Sequence, residues 1–246
     1  MIAVKDSHDA YGHQVYDQLT GKDTLEIVER DDGFFDGTRG GSKYYLSEYK
    51  DWNLREKKAL RYVRGRVIDV GCGAGRIAIY LQNKGFDVLG VDISPLAIRV
   101  CKLRGLKKAR ALSITKLTFR VGMFDTVLMF GNNFGLFGNA TRARWLLGRF
   151  YKMTTRNARI IAESVDPENT NDPAHHEYHK LNRARHRLPG QLTIRVRYRK
   201  YVTPWFQYLL VSKREMGKIL KGTGWKLSKT ISSGGAAYIA VVEKEK

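Results

Sequence analysis

From residue 51 onward, stretches with helical spacing of apolar positions alternate with short, continuous apolar runs, and turn residues separate them. Asn53 followed by Glu56 is a capping-box start, and the helix it opens is expected to run to about Val63 before Gly65. Val67, Ile68 and Val70 read as a short buried strand. A helix from about Gly75 to Lys84 stops at Gly85, and Asp87 to Asp92 is the next strand. Ser94 and Pro95 supply a cap and a first-turn proline for a helix that ends before Gly105. Further strands are expected near 108–112, 124–130 and 158–163, with a helix around 141–153 between the last two. Alternation of this kind implies right-handed crossovers and a parallel sheet covered on both faces, an α/β fold.

After Glu163 the pattern changes. Residues 164–190 are polar and carry the turn signals Asp166-Pro167, Asp172-Pro173 and Pro189-Gly190, which reads as a long loop, and long loops inside a domain are usually functional or mobile. Leu192, Ile194, Val196 and Tyr198 then alternate with Thr193, Arg195, Arg197 and Arg199, the period of a half-buried strand. Trp205 to Val211 is expected to pair back on it as an antiparallel hairpin. Ser212 with Glu215 gives a second capping box, opening a helix that ends at Gly222, and strands near 225–231 and 236–243 follow. Residues 1–50 lie outside this alternation. Their aromatic run, Tyr44, Tyr45 and Tyr49 with Trp52 just beyond, follows Gly40-Gly41 and suits a lid closing over a site, or equally a helix packed on the sheet edge. The expected organisation is a lid-like extension over 1–50 and a main domain over 51–246 with an insertion at about 164–212.

Composition narrows the class. Of 246 residues, 43% are hydrophobic and 28% charged, values that exclude a disordered or collagenous chain. No apolar run approaches the ~20 residues of a membrane helix, and MIAVKDSHDA lacks a basic stretch leading into an apolar one, so a soluble, unexported, cytoplasmic protein is expected. Cys72 and Cys101 are the two cysteines, without zinc-finger spacing, and no metal is expected. The net charge of +20 is unevenly placed: residues 1–60 hold 9 basic and 12 acidic side chains, leaving +23 on residues 61–246. Such a balance attracts polyanions or acidic surfaces and carries no information about fold.

The chemistry concentrates in Val67-Ile-Asp-Val-Gly-Cys-Gly-Ala-Gly-Arg76, a strand running into a glycine-rich turn and a helix. Gly71, Gly73 and Gly75 allow a tight turn and close approach of a ligand to the main chain, and the helix offers free N–H groups at its start. Asp92, ending the next strand, can take both ribose hydroxyls of a nucleoside lying across the strand ends. Two ligand classes use this arrangement. A dinucleotide fold has G-x-G-x-x-G, whose third glycine would fall at Arg76, so a nicotinamide-dependent oxidoreductase is the reading that Arg76 opposes.

Asp69-x-Gly-x-Gly-x-Gly, with Asp92 beyond, resembles the first motifs of the class I S-adenosylmethionine-dependent methyltransferases, and the resemblance spans roughly residues 54–163. Phe124 to Asn133, FDTVLMFGNN, is similar to that family's fourth strand and its substrate-facing tip. The resemblance implies a Rossmann-like, doubly wound, mostly parallel seven-stranded sheet and S-adenosyl-L-methionine as cofactor. It implies that Asp69 holds the methionine amino group, directly or through water, and that Asp92 binds the ribose. Gly71, Cys72, Gly73 and Gly75, with Ile93 and Gly131, complete the implied cofactor contacts. Where the family often has an acidic residue against the adenine amino group, this chain has Ser113, whose hydroxyl can accept the same hydrogen bond. Carboxylates suit such a ligand, which carries a sulfonium and an ammonium but no phosphate.

The methyl acceptor is less legible. Asn132 and Asn133 follow the fourth parallel strand and read either as acceptor contacts or as a turn and helix cap. The Asp/Asn-Pro-Pro-aromatic tetrapeptide found in relatives that methylate exocyclic base amines is missing, since Asn132-Asn133-Phe134 has no proline. A small-molecule acceptor, anionic in character, is therefore expected ahead of tRNA or rRNA. A noncatalytic RNA-binding protein on the same fold is a further reading, and retention of Asp69 and Asp92 opposes it. His176-Glu177-Tyr178-His179 is one residue short of the zinc-protease helix, so His176 and His179 are candidates for a general base, or members of a solvated loop. Arg195, Arg197 and Arg199 should share one strand face, either steering an acceptor that bears phosphate or carboxylate or carrying water and counterions.

Overall fold

The computed structural model describes residues 4–39 and 41–245. In chain order its elements are α1 (Ala10–Leu19), β1 (Leu25–Arg30), β2 (Phe35–Arg39), α2 (Gly41–Leu46), α3 (Leu54–Ala59), β3 (Val67–Val70), α4 (Arg76–Asn83), β4 (Val88–Asp92), α5 (Pro95–Leu103), β5 (Ala109–Ala111), β6 (Phe124–Met129), α6 (Ala140–Lys152) and β7 (Thr154–Val165). They continue as α7 (Pro173–Ala184), β8 (Gln191–Tyr198), β9 (Tyr201–Val202), β10 (Phe206–Leu209), α8 (Lys213–Leu220), β11 (Trp225–Ser232) and β12 (Ala237–Lys244). The local signals act where expected. Asn53 and Ser212 both close capping boxes, with Glu56 and Glu215, and the Ser94 side chain accepts from the Ala97 amide with Pro95 in the first turn.

Seven strands form a mixed sheet in the order β11-β12-β7-β6-β3-β4-β5, the expected α/β architecture. β4 pairs parallel with β5 and β6 parallel with β7, while β12 runs antiparallel to both β7 and β11. The strand sequences account for this. Every residue of β3 and the Thr126–Met129 stretch of β6 is buried, as a sheet covered on both faces requires. A second, five-stranded sheet has the order β10-β8-β1-β2, with β9 on β8.

By internal contacts the described residues fall into two units. One comprises the chain up to Trp52, Ile68–Lys116 and Thr193–Phe206; the other comprises Asn53–Val67, Leu117–Leu192 and the chain from Gln207 onward. In the first, Val15 of α1 packs with Ala74, Ala97 and Val100, and Tyr11, Leu19, Tyr45 and Leu46 surround them. In the second, Phe124, Phe134, Phe137, Phe150 and Trp225 are fully buried, and the Trp225 indole N–H donates to the Leu147 carbonyl at 3.0 Å. Among the described residues no helix is long and apolar enough to cross a membrane.

Three expectations need correction. Residues 164–190 are not a continuous loop, because α7 occupies the middle of it. Asp172 caps that helix by accepting from the Ala174 amide and Pro173 takes the first turn, the same syntax as Ser94-Pro95. The lead segment is neither a simple lid nor one packed helix: besides α1 and α2 it supplies β1 and β2, and β1 pairs antiparallel with β8 in the register Glu29↔Arg195 and Ile27↔Arg197. Gly40, half of the glycine pair on which the lid reading leaned, lies outside the described residues.

The third correction concerns the arginine row. Glu29 accepts from Arg195 Nε and Nη2 at 2.6 and 2.8 Å and also from Arg197 Nε, so one carboxylate answers two guanidiniums. Arg199 lies beyond the strand end, with φ of 50°, and donates to the Tyr198 hydroxyl at 3.1 Å. Glu29 thus answers part of the row's charge, which the strand pattern alone did not show.

Hydrogen bonds from Arg195 first, then Arg197, lower the Glu29 pKa from 4.5 to about 2. A depressed carboxylate stabilises the fold above its ordinary pKa, and that stabilisation is lost as pH falls toward the folded value. Glu29→Gln should therefore lower the melting temperature at neutral pH, and the deficit should shrink between pH 4.5 and about 2. Thermal melts across that window, with a constant deficit, would contradict the pairing.

Candidate functional site

β3 ends in a turn that main-chain conformation alone restricts to glycine at several positions. Gly73 has φ of 54°, and a Cβ built on it would fall 2.2 Å from the Tyr11 hydroxyl, so a side chain there would be strained and would push the end of Tyr11 aside. The Gly71 and Cys72 amides both donate to the Val91 carbonyl, at 2.8 and 3.0 Å, which locks the turn to the end of β4. The Gly73 amide donates to Asp92 Oδ2 at 3.0 Å, and the Ser94 amide to Asp92 Oδ1 at 2.9 Å. Each oxygen of Asp92 keeps a lone pair beyond these bonds, which leaves the carboxylate able to accept two hydroxyl donors.

Asp69 is the other carboxylate of the turn, only 3% exposed. Burial pushes its pKa from 3.8 up to about 7; Arg76 draws it down, the nearby Asp92 raises it further, and the Ala78 amide lowers it. Burial raises Asp92 as well, against the amides of Ser94 and Gly73 that lower it. Among the described residues no lysine, arginine or histidine forms an ion pair with either carboxylate. Asp69 thus bears the cost of burial without a paired cation among the described residues, and the Tyr11 hydroxyl packs over the Gly73 position of the turn beside it.

Of the other residues proposed for the cofactor, Ile93 and Cys72 adjoin the turn and its second strand, Ser113 follows β5, and Gly131 stands at the tip of β6. Ile93, directly after Asp92, is 59% exposed, an apolar side chain on the outside of a strand end. Ser113 follows β5, and its hydroxyl shares a hydrogen bond with Thr115 Oγ1 at 3.0 Å. Cys72 faces inward, its Sγ 3.9 Å from that of Cys101, so a ligand would meet its main chain; burial and the neighbouring thiol push the Cys72 thiol up. The Cys101 thiol donates to the Gly73 carbonyl at 3.0 Å and supports the turn from beneath.

Several residues here had no local signal in the sequence. Arg104 donates to the Ala74 carbonyl at 2.7 Å and to the Leu46 carbonyl at 3.0 Å, tying α2 to the glycine turn. Glu26 of β1 accepts from Gln14 and from the Tyr45 hydroxyl at 2.9 and 3.1 Å. Arg76 stacks over Tyr44 at 4.1 Å and over Trp52 at 5.1 Å and donates to the Tyr44 hydroxyl at 2.6 Å. The aromatic run of the lead segment is thereby packed against the turn helix by cation–π contact, which the packed-helix alternative anticipated in part.

The tip of β6 is built separately. Gly131 and Asn132 both adopt left-handed φ, 68° and 62°. The Gly131 amide donates to Glu163 Oε2 at 2.7 Å, and Glu163, 2% exposed, is held by Arg55 through Nε and Nη2 at 3.1 and 2.8 Å. The Tyr208 hydroxyl donates to the Asn132 carbonyl oxygen at 2.7 Å, whereas Asn132 Oδ1 is buried without a hydrogen-bond partner among the described residues. A buried acceptor left open in this way is costly unless something occupies it.

The histidines sit on α7. His179 is 5% exposed, and burial first, then Arg183 and the neighbouring histidines, lower its pKa, so it is a neutral imidazole near pH 7. His176 is exposed on the same helix, its ring 6.3 Å from that of His179. Asn132 is bonded to Tyr208 rather than to either of them. No group of histidine, cysteine, aspartate and glutamate among the described residues is arranged to hold a metal ion.

Comparison with known proteins agrees with the geometry. Residues 67–155 match the family model of the methyltransferase domain. A methyltransferase-family protein of Geobacillus sp. (strain WCH70) is 28% identical over 125 residues, 46% of this chain and 49% of that one. The ubiquinone biosynthesis O-methyltransferase of Bordetella avium is 34% identical over 68 residues, 25% of this chain and 28% of that one. The chain thus spans half or less of the length of these relatives. A Bacteroides fragilis S-adenosylmethionine-dependent methyltransferase solved with S-adenosyl-L-homocysteine shares the fold at a TM-score of 0.83 and 24% identity, covering 99% of this chain and 98% of that chain.

A carboxyl group whose folded pKa is raised destabilises the protein progressively as pH climbs from its unfolded to its folded value. Asp69→Asn should therefore stabilise the ligand-free protein above pH 7, by on the order of a few kcal/mol, with the gain fading toward pH 3.8. Urea midpoints measured across that range would show the trend; equal midpoints at every pH would mean that Asp69 is not a strained buried acid.

Proposed function

We propose that the chain is an S-adenosylmethionine-dependent methyltransferase that transfers the methyl group to a small-molecule acceptor, a reading supported by the match of residues 67–155 to the methyltransferase-domain family model and by the fold shared with a methyltransferase solved with S-adenosyl-L-homocysteine. The observation that carries the reading is the buried Asp69 beside the half-buried Asp92 at the glycine turn. A phosphate-bearing dinucleotide would meet two like charges there, whereas an ammonium and a sulfonium relieve them.

In this reading Asp92 accepts from both ribose hydroxyls with the lone pairs its amide bonds leave open, and Asp69, ionised on binding, holds the amino group. Ile93 lies along the nucleoside, Ser113 accepts from the adenine amino group, and the main chain of Gly71, Cys72, Gly73 and Gly75 sets the approach. When bound, the cofactor would supply an electrophilic methyl on its sulfonium, which passes to the acceptor with the neutral thioether as leaving group. Asn132, with its open Oδ1, is the candidate to orient the acceptor. His179, neutral at physiological pH, is the candidate to take an acceptor proton, with His176 the solvent-side alternative. The small-molecule class rests on the likeness to an O-methyltransferase of quinone synthesis and on the missing proline pair after Asn132. With Arg195 and Arg197 answered by Glu29, an anionic acceptor has lost its main support, and RNA stands as the second reading because of the +20 charge.

Asp92→Ala should weaken S-adenosylhomocysteine binding about ten- to a hundredfold with the fold intact, from the loss of charge-assisted contacts worth roughly 1.5–3 kcal/mol. Titration calorimetry on both proteins tests this, and equal affinities would remove Asp92 from the site. Incubating the protein with labelled S-adenosylmethionine and a fractionated cell extract should place label in the small-molecule fraction; label in RNA would transfer the assignment to the second reading.

A further inference from the structure

On α1, Tyr11 and Val15 face the glycine turn and its core, while His13 and Asp17, four residues apart, share the opposite face. That opposite face opens on a cleft of about 650 Å³ between α1, α5 and the β8–β9 turn. Its charged groups are Lys22, Arg99, Arg199 and Lys200 against Asp6 and Asp17, four cations less two carboxylates, or +2. Asp17 is occupied by Lys22 at 2.8 Å and the Tyr198 hydroxyl at 2.9 Å, with Arg199 at 3.6 Å, and Asp6 lies 2.9 Å from His13. Arg99 and Lys200 have no carboxylate partner among the described residues; they lie only over the rings of Tyr16 and Tyr201, at 5.4 and 5.5 Å.

Two further features mark the cleft as built for a ligand. The rings of His13 and Tyr201 are stacked at 3.5 Å and within 8° of parallel, a flat, pre-ordered aromatic wall. Arg199 holds a left-handed φ of 50° at the β8–β9 turn, where glycine or asparagine would sit with less strain, and this conformation leads the chain directly into Lys200 and Tyr201.

We propose that this cleft binds a nucleotide unit, with Arg99 and Lys200 on its phosphate and the Tyr16 and Tyr201 rings beside its base. The volume suits a ligand of that size, the unpaired cations suit a phosphate, and aromatic side chains stack on any base. The site lies on the far face of α1 from the carboxylate pair and does not depend on the methyl-transfer reading. The nucleotide can be free or part of an RNA strand, because both present the same phosphate and base.

The test uses the full chain, with 5′-AMP and a ten-nucleotide single-stranded RNA as probes, against wild type and the Arg99→Gln/Lys200→Gln double variant. Both substituted positions are exposed, so the variant should melt with wild type. The expected result is binding by wild type that falls about ten- to a hundredfold in the variant. RNA binding much tighter than AMP, with steep salt dependence, assigns the cleft to a strand; comparable affinities assign it to a free nucleotide. The proposal is overturned if neither probe binds wild type, or if the folded variant binds both as wild type does. If the variant melts early, Lys200→Gln alone replaces it under the same criteria.

Discussion

A carboxylic acid buried at the end of a central strand without an ion-pair partner is the constraint around which the site is arranged. Burial is the largest influence on Asp69; Arg76 offsets part of it without forming an ion pair among the described residues, and Asp92 adds a second negative charge. The turn between the two strand ends hands its amides to Asp92, through Gly73 and Ser94, and so fixes that carboxylate in direction while Asp69 keeps the cost of burial. On the proposed reading, a cationic nucleoside at this turn would offset the cost of burying Asp69.

The lead segment takes its meaning from the same turn. Tyr11 closes over Gly73, Arg104 ties α2 to the carbonyl of Ala74, and Arg76 is sandwiched between Tyr44 and Trp52. Its other face joins the second sheet through Glu29 and β8. The same fifty residues thus touch the glycine turn, hold the arginine strand in register, and form one wall of the basic cleft. Helix α1 has work on two opposite faces, and this explains why a ten-residue helix carries Tyr11, Gln14 and Asp17, each with a distinct partner.

What the sequence made legible was local. Capping boxes at Asn53 and Ser212, the Ser94-Pro95 start, the glycine turn and its two aspartates all act over a few residues, and all stand where the pattern put them. Helix α7 carried the same signal, Asp172-Pro173, but its polar surface hid the periodicity: only Tyr178, His179 and Asn182 are buried on it. The β1–β2 hairpin went unread, and the pairing of β1 with β8, 166 residues away, closes only in three dimensions, so the charge row on β8 looked unanswered although Glu29 meets it. Contacts that close only in three dimensions, such as Tyr11 over Gly73 or Tyr208 on Asn132, leave no spacing to read.

The most direct test of this account is calorimetry of S-adenosylhomocysteine binding near pH 7 in buffers of different ionisation heat. If Asp69 titrates near 7 when free and is ionised by the bound ammonium, binding should release about half a proton. That release should vanish in Asp69→Asn. Binding with no proton exchange in the wild type, or with the same exchange in the variant, would contradict the claim that the site is organised around a buried acid awaiting a cation.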